Sequence, residues 1–324
     1  MKIPYSQAIR DAMREAMMED ESVVLVGEDI GLYGGCFGVS RGMIEEFGPE
    51  RIIETPISET AFSGAAVGMA LMGMRPIVEI MFGDFVTLAA DPIINHAAKY
   101  RFMSGGQVSV PLVLRTPFGS GTGAAAQHSQ TMEAMFLNTP GLKVVAPATP
   151  KDAKGLLRSA IADPGPVLFF ENKLLYRQTG EVPESPYSIP IGKAEIKRPG
   201  SDITLITWSR MLDPCLQAAD ALEQDGVSAE VLDLRTLRPL DSESIAESVK
   251  RTSRALIVYE APKFGGFGGE ATAAIMESEA FYYLDHPVKR LAGKEIPVPY
   301  SPELESSIAP SAGSIRQMAL EMTR

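Results

Sequence analysis

The sequence predicts an α/β protein of two domains, each built on a parallel sheet. Three observations carry this. The chain has 324 residues, beyond the usual size of one domain. Short β-branched runs alternate with segments of helical period along both halves, the pattern of βαβ units. Between Arg177 and Ser201 that alternation stops, and Pro183, Pro186, Pro190 and Pro199 crowd a polar stretch. The expected division is a first domain over 1–180, a linker over 181–200 and a second domain over 201–324.

The elements follow in order. Ser6 is placed to cap a first helix, on which Ile9, Ala12, Met13, Ala16 and Met17 form one apolar face. Val23–Val26 reads as a strand that runs into Gly27-Glu28-Asp29 and then a glycine-rich loop over 30–38. Ile52 and Ile53 lead to a break at Thr55-Pro56. Strands are expected over 77–82, 108–115, 143–148 and 167–171, and a helix over 85–101 entered at Asp84. Pro111 argues for an edge position or a local break of the strand over 108–115. Thr149, Pro150 and Asp152 supply a cap, a first helical proline and a first-turn acid. In the second half, strands over 203–208, 229–234 and 255–259 alternate with helices over 213–224 and 241–250. A glycine-rich loop over 264–269 enters a helix over 270–277, and a last helix lies near 314–322.

The stretch Arg51–Pro76 stands out. Glu59 opens a run of 15 residues, Thr60–Met74, that has no charge and is rich in Gly, Ala, Ser and Met. It is too short for a membrane span, which needs about 20 apolar residues, and reads as a buried helix with one acid at its mouth. Gly64, Ala65 and Gly68 would let another backbone or a flat ligand approach closely. Glu59 suits a helix N-terminus as a capping acid. In a dry site the same carboxylate would also exchange a proton.

Composition narrows the classes. The formal net charge of −11 argues against nucleic acid and anionic membrane surfaces and allows a basic protein partner. The 2 cysteines, Cys36 and Cys215, lie outside any metal or CxxC spacing and suit a reducing compartment. The first 22 residues lack a signal peptide's apolar core, so a cytoplasmic protein is expected. The 3 histidines are scattered, which disfavours a histidine metal site. His96 sits in an expected helix and His286 precedes a proline. His128 ends a Gly/Ala loop between Gln127 and Ser129, where it either exchanges protons or ties the loop. Gly266-x-Gly268-x-x-Ala271 and Gly119-x-Gly121-x-x-Ala124 both imitate a dinucleotide fingerprint, yet neither follows a strand in a tight turn. A nicotinamide-binding α/β dehydrogenase is thus a remote alternative.

Several motifs together are more specific. They are G-E-D-I-G-L-Y-G-G (27–35), F-G-P-E-R-I-I-E-T-P-I-S-E (47–59), A-A-Q-H-S-Q (125–130), P-G-L-K-V-V-A-P (140–147) and L-R-T-L-R-P-L-D (234–241). With them the whole chain resembles the β subunits of the thiamin-diphosphate-dependent 2-oxo-acid dehydrogenases, the decarboxylating component of pyruvate-type complexes. The resemblance implies a transketolase-like pyrimidine-binding domain followed by a transketolase C-terminal-type domain. It implies a two-α-two-β heterotetramer in which the α subunit holds magnesium and the diphosphate, because no GDG motif is present here. Lipoyl domains of the acyltransferase component are the implied acceptors.

The resemblance also implies roles for residues. Glu59 matches the acid that shares a proton with the cofactor's aminopyrimidine. Phe85 and Ile57 match positions beside that ring, and Glu28 an acid near the buried cofactor. His128 matches a histidine associated with acyl transfer to the lipoyl arm. Leu112, Ala160, Ile161 and Asp163 match a potassium site, with Gly165 where relatives carry Asn. The single histidine of A-A-Q-H-S-Q favours pyruvate as the substrate. Branched-chain 2-oxo-acid and acetoin dehydrogenases are the alternatives. A GGFG loop and Asp285–Arg290 resemble the acetoin-cleaving relatives.

Overall fold

The computed structural model describes all residues, Met1–Arg324. The chain forms two compact units: Met1–Gly119 with Met135–Ile191, and Ser120–Ala134 with Gly192–Arg324.

In the first unit, parallel strands lie in the order Lys143–Val145, Val167–Asn172, Val113–Phe118, Arg75–Glu79, Val23–Gly27 and Ile52–Glu54. Strands buried on both faces read as unbroken apolar runs, and Val23–Val26 and Val167–Phe170 do so. The helix Tyr5–Glu19 packs on the helix Pro150–Ala162, with Ile9, Met13 and Met17 against Leu156 and Leu157 in one core. The apolar face read from the sequence is the buried face. Its cap is not Ser6: the helix starts one residue earlier, Pro4 holds the N-cap position, and no side chain caps it. Thr149 does cap its helix, accepting from the Asp152 amide. Lys2–Pro4 and Thr179–Glu181 form a separate antiparallel pair.

Three expectations change here. Val113–Phe118 is an interior strand between Val167–Asn172 and Arg75–Glu79; Pro111 precedes it, and the proline it does contain, Pro117, lies beyond its pairing with Arg75–Glu79. The helix expected over 85–101 is three short turns, Gly83–Ala89, Pro92–Ala97 and Tyr100–Met103. Pro92 lacks the N–H that would continue the first of them. The helix Glu59–Leu71 is buried on one side only: Phe62, Ala66 and Ala70 face inward, while Thr60, Gly64 and Gly68 are exposed.

In the second unit the strand order is Lys289–Gly293, Ala255–Pro262, Ile203–Thr207, Ala229–Asp233 and Glu195–Arg198. The first four run parallel, but Glu195–Arg198 pairs antiparallel with Ala229–Asp233, so this sheet is mixed. That strand comes from the proline-rich stretch expected to be the linker. Helices Leu212–Gln224, Ser242–Thr252, Gly268–Met276 and Ala312–Thr323 complete the unit. No helix is long and apolar enough to cross a membrane.

Candidate active site

The C-terminal ends of the first unit's parallel strands place the acids that the sequence singled out. Gly27 ends its strand where an added Cβ would lie 2.7 Å from the Glu79 carbonyl oxygen, so glycine is required for the strands to close there. Glu28 follows and is buried. The neighbouring strand Ile52–Glu54 is followed by Thr55, whose amide donates to the Gly27 carbonyl at 2.9 Å. This brings residues 55–58 beside Glu28, and the Ser58 amide donates to Glu28 Oε1 at 3.1 Å. Ser58 is the N-cap residue of the helix that begins at Glu59. A carboxylate from another strand thus takes up a free amide at the helix start, where negative charge is stabilised.

Glu59 is itself buried, 6% exposed, at the first position of that helix. Burial, together with the nearby charge of Glu59, pushes the Glu28 carboxyl above its ordinary range against the opposing Ser58 amide. Ile57 lies 76% exposed on the loop just before. Phe85 is half-buried in the turn Gly83–Ala89, edge-on to Phe82 at 6.1 Å. That turn packs on the helix Glu59–Leu71, and Thr60 Oγ1 donates to the Leu88 carbonyl at 2.5 Å. Glu28, Ile57, Glu59 and Phe85 therefore share one end of the first unit's sheet.

Beneath them lies a charge network that the sequence reading missed. Arg115 is 1% exposed and donates from Nε and Nη2 to the two Glu171 oxygens at 2.7 and 2.6 Å. It also donates to Glu79, and Tyr176 donates to Glu171 Oε2 at 2.8 Å. Burial holds Glu79 above its ordinary range, while Arg115 opposes the shift. Gly35 in the loop over 30–38 has φ +78, and a Cβ there would lie 2.5 Å from Glu79 Oε1. The network thereby fixes the loop that follows Glu28. Its signal was present: Glu79, Arg115 and Glu171 each interrupt or end an apolar strand run.

His128 belongs to the second unit. Its segment is held by two buried carboxylates of that unit. Glu305 accepts from the amides of Gly121 at 2.6 Å and Gly123 at 2.9 Å, and Glu260 accepts from the Ser120 amide at 2.7 Å. Gly121, Gly123 and Ala125 have φ of +103, +69 and +57, the left-handed backbone that turns successive amides toward an anion. The Gly119–Ala124 pattern thus cradles an internal carboxylate. At the other pattern, added Cβ atoms on Gly266 and Gly268 would lie 2.7 and 2.2 Å from the Tyr259 ring. Those glycines admit an aromatic side chain.

The potassium candidates sit at the opposite, N-terminal end of the first unit's strands. Each offers oxygens that already accept from protein donors. The Leu112 carbonyl accepts from the Val167 amide at 2.8 Å, and the Ala160 carbonyl from the Asp163 amide at 3.3 Å. Arg75 Nη1 donates to the carbonyls of Ile161 at 2.9 Å and Asp163 at 3.3 Å. The Asp163 carboxylate pairs with Lys143 Nζ at 2.5 Å and accepts from the Gly165 amide at 2.8 Å. A metal ion at these oxygens would share them with two side-chain cations.

Comparison with known proteins agrees with this architecture. Residues 1–179 match the family model "Transketolase, pyrimidine binding domain", and residues 192–315 match "Transketolase, C-terminal domain". The chain is 49% identical over 303 residues to 2-oxoisovalerate dehydrogenase subunit beta of Bacillus subtilis (strain 168), covering 93% of this chain and 92% of that one. It is 46% identical over 315 residues to pyruvate dehydrogenase E1 component subunit beta of Rickettsia conorii (strain ATCC VR-613 / Malish 7), covering 97% and 96%. It is 44% identical over 332 residues to the beta subunit of acetoin:2,6-dichlorophenolindophenol oxidoreductase of Bacillus subtilis (strain 168), covering 99% and 97%. A solved split-gene transketolase, an inactive beta4 tetramer, shares the fold with a TM-score of 0.82 at 22% identity, covering 99% of this chain and 100% of that one.

Proposed function

The chain belongs to the transketolase-like family of 2-oxo-acid dehydrogenase β subunits, and from that premise we propose that it works with an α subunit in the oxidative decarboxylation of a 2-oxo acid, with pyruvate as substrate. The observation that carries this reading is Glu59: a buried acid that opens a helix, beside a second buried acid whose proton affinity is raised.

The residues present fit the aminopyrimidine end of thiamin diphosphate. Glu59 would hold a proton against a ring nitrogen, while Ile57 and Phe85 would bound the ring's apolar faces. When bound, the cofactor supplies the electron sink that decarboxylation of a 2-oxo acid requires. Glu28 orders the helix start through the Ser58 amide, and its own proton affinity is raised by burial and by the nearby charge of Glu59. The small-residue face of Glu59–Leu71 keeps bulk away from that end of the unit, since Cβ atoms at Gly64 and Gly68 would meet nothing within 4 Å. His128 is assigned to acyl transfer toward a lipoyl acceptor, with its segment clamped by Glu260 and Glu305. The α subunit is assigned magnesium and the diphosphate, in a two-α-two-β assembly located in the cytoplasm. Leu112, Ala160, Ile161 and Asp163 remain the candidate set for potassium, shared with Arg75 and Lys143.

A branched-chain 2-oxo acid is the second reading, favoured by the 49% identity to the 2-oxoisovalerate dehydrogenase subunit. The test is native mass spectrometry of the tagged chain drawn gently from its own cells, followed by turnover with pyruvate, 2-oxoisovalerate and acetoin. Co-purification of a second chain with thiamin diphosphate, and highest kcat/KM for pyruvate, is the expected result. Recovery of this chain alone, without thiamin diphosphate, would overturn the reading.

A further inference from the structure

The second unit contains a cavity that the proposed chemistry does not use. Its volume is about 450 Å³, within the range of small-ligand sites. One wall carries Glu260, 8% exposed, whose Oε1 accepts from Ser120 Oγ at 2.9 Å and whose Oε2 pairs with Arg210 Nε at 2.8 Å. That buried charge is therefore balanced from within. Ser129 lines the same cavity, is 1% exposed, and its Oγ has no hydrogen-bond partner. A buried hydroxyl left in that state is destabilising, so a ligand atom that bonds it gains affinity.

The rim carries opposite charges on adjacent residues. Lys294 and Glu295 are both exposed and both line the cavity. Lys294 Nζ donates to the neutral hydroxyl of Ser307 at 3.0 Å, and Glu295 Oε1 accepts from the Phe264 amide at 3.0 Å. Phe264, Ile296, Val298 and Ile308 provide apolar wall between these polar groups. A lone anion entering here would meet Glu295, and a lone cation would meet Lys294. A zwitterion satisfies both at once, and an apolar side chain suits the remaining wall.

We propose that this cavity binds an apolar α-amino acid. Its carboxylate pairs with Lys294, its ammonium with Glu295, its side chain lies on Phe264 and Ile296, and Ser129 supplies a hydrogen bond from within. Ser129 adjoins His128, so occupancy bears directly on the segment that carries that histidine. The inference rests on the cavity alone and is independent of which substrate the enzyme decarboxylates.

The test uses L-leucine as probe, by calorimetry on the assembled enzyme and by tryptophan emission of the full-length chain at fixed pH. Trp208 is the single tryptophan, and its Nε1 donates to Glu133, four residues after Ser129. The expected result is saturable binding of one leucine per chain with a shift in Trp208 emission. Lys294→Met and, separately, Ser129→Ala should each weaken it, the former by about tenfold as for loss of a charge-assisted contact. 4-Methylpentanoate, which lacks the ammonium, and 3-methylbutylamine, which lacks the carboxylate, should both bind more weakly. No saturable heat or emission change at tens of millimolar leucine would overturn the proposal. So would unchanged affinity in Lys294→Met, or equal affinity for 4-methylpentanoate.

Discussion

The indole Nε1 of Trp208 donates to Oε1 of Glu133 at 3.4 Å, inside a pocket where Glu133 is 1% exposed and its Oε2 has no partner. Trp208 is itself fixed, stacked on Tyr259 with ring centroids 5.1 Å apart and edge-on to Phe267 at 5.4 Å. Burial is the main force on Glu133 and pushes its carboxyl up to about 7, with a smaller contribution from the charge of Glu260; its own backbone amide and the Trp208 bond act in the opposite direction.

Trp208 emission should therefore titrate near neutral pH, and Glu133→Gln should abolish that titration. The sign for stability follows from the raised value. Glu133's stabilising contribution is full below its unfolded value near 4.5, and is lost as pH rises through about 7. Denaturant unfolding at pH 8 should show Glu133→Gln more stable than the native chain by up to about 3 kcal/mol, from roughly 1.4 kcal/mol per pKa unit. Equal stability of the two chains at both pH 5 and pH 8 would refute a raised Glu133.

Glu59→Gln keeps the shape of the side chain and removes its titration. In the assembled enzyme, turnover should fall by about 100-fold or more, the scale of a lost acid–base group. Near-normal turnover with an artificial acceptor would remove Glu59 from the chemistry. Glu28→Gln should have a smaller effect, because an amide side chain still offers an oxygen to the Ser58 amide.

His128→Ala should separate two assays. Acyl transfer to lipoyl domains should drop by about 10-fold or more, while turnover with a soluble artificial acceptor changes less. Parallel losses in both, or none in either, would argue for a structural role in the loop held by Glu305.

Arg115→Met should be strongly destabilising. It leaves Glu79 and Glu171 buried without their cation, a change worth about 3–5 kcal/mol when one partner of a buried pair is removed. Urea unfolding at pH 7 measures it, and a loss below 1 kcal/mol, the size of a surface ion pair, would show that the network is not carrying the strand ends.

Exchange of potassium chloride for choline chloride at constant ionic strength probes the Ile161–Asp163 oxygens. If potassium shares them with Arg75, the melting temperature should fall by about 2–4 °C, the shift expected for ~1 kcal/mol. An unchanged melting temperature would leave Arg75 and Lys143 as the cations that balance those oxygens.

The sequence by itself determined the alternation of strands and helices, the apolar faces such as Ile9–Met13–Met17, and Glu59 as an acid at the mouth of a helix. These follow from local periodicity, capping and motif spacing, which a linear chain displays directly. It could not show that Pro111 lies outside an interior strand, or that residues 195–198 join the second sheet, because pairing is decided by partners distant in sequence. Tertiary structure alone decided that Glu28 caps the helix of Glu59. It alone decided that Arg115 is shared by Glu79 and Glu171, and that Gly121 and Gly123 receive Glu305. Each of these joins residues brought together only when strand ends align and apolar burial closes the core, and the energetic value of a charge depends on that burial.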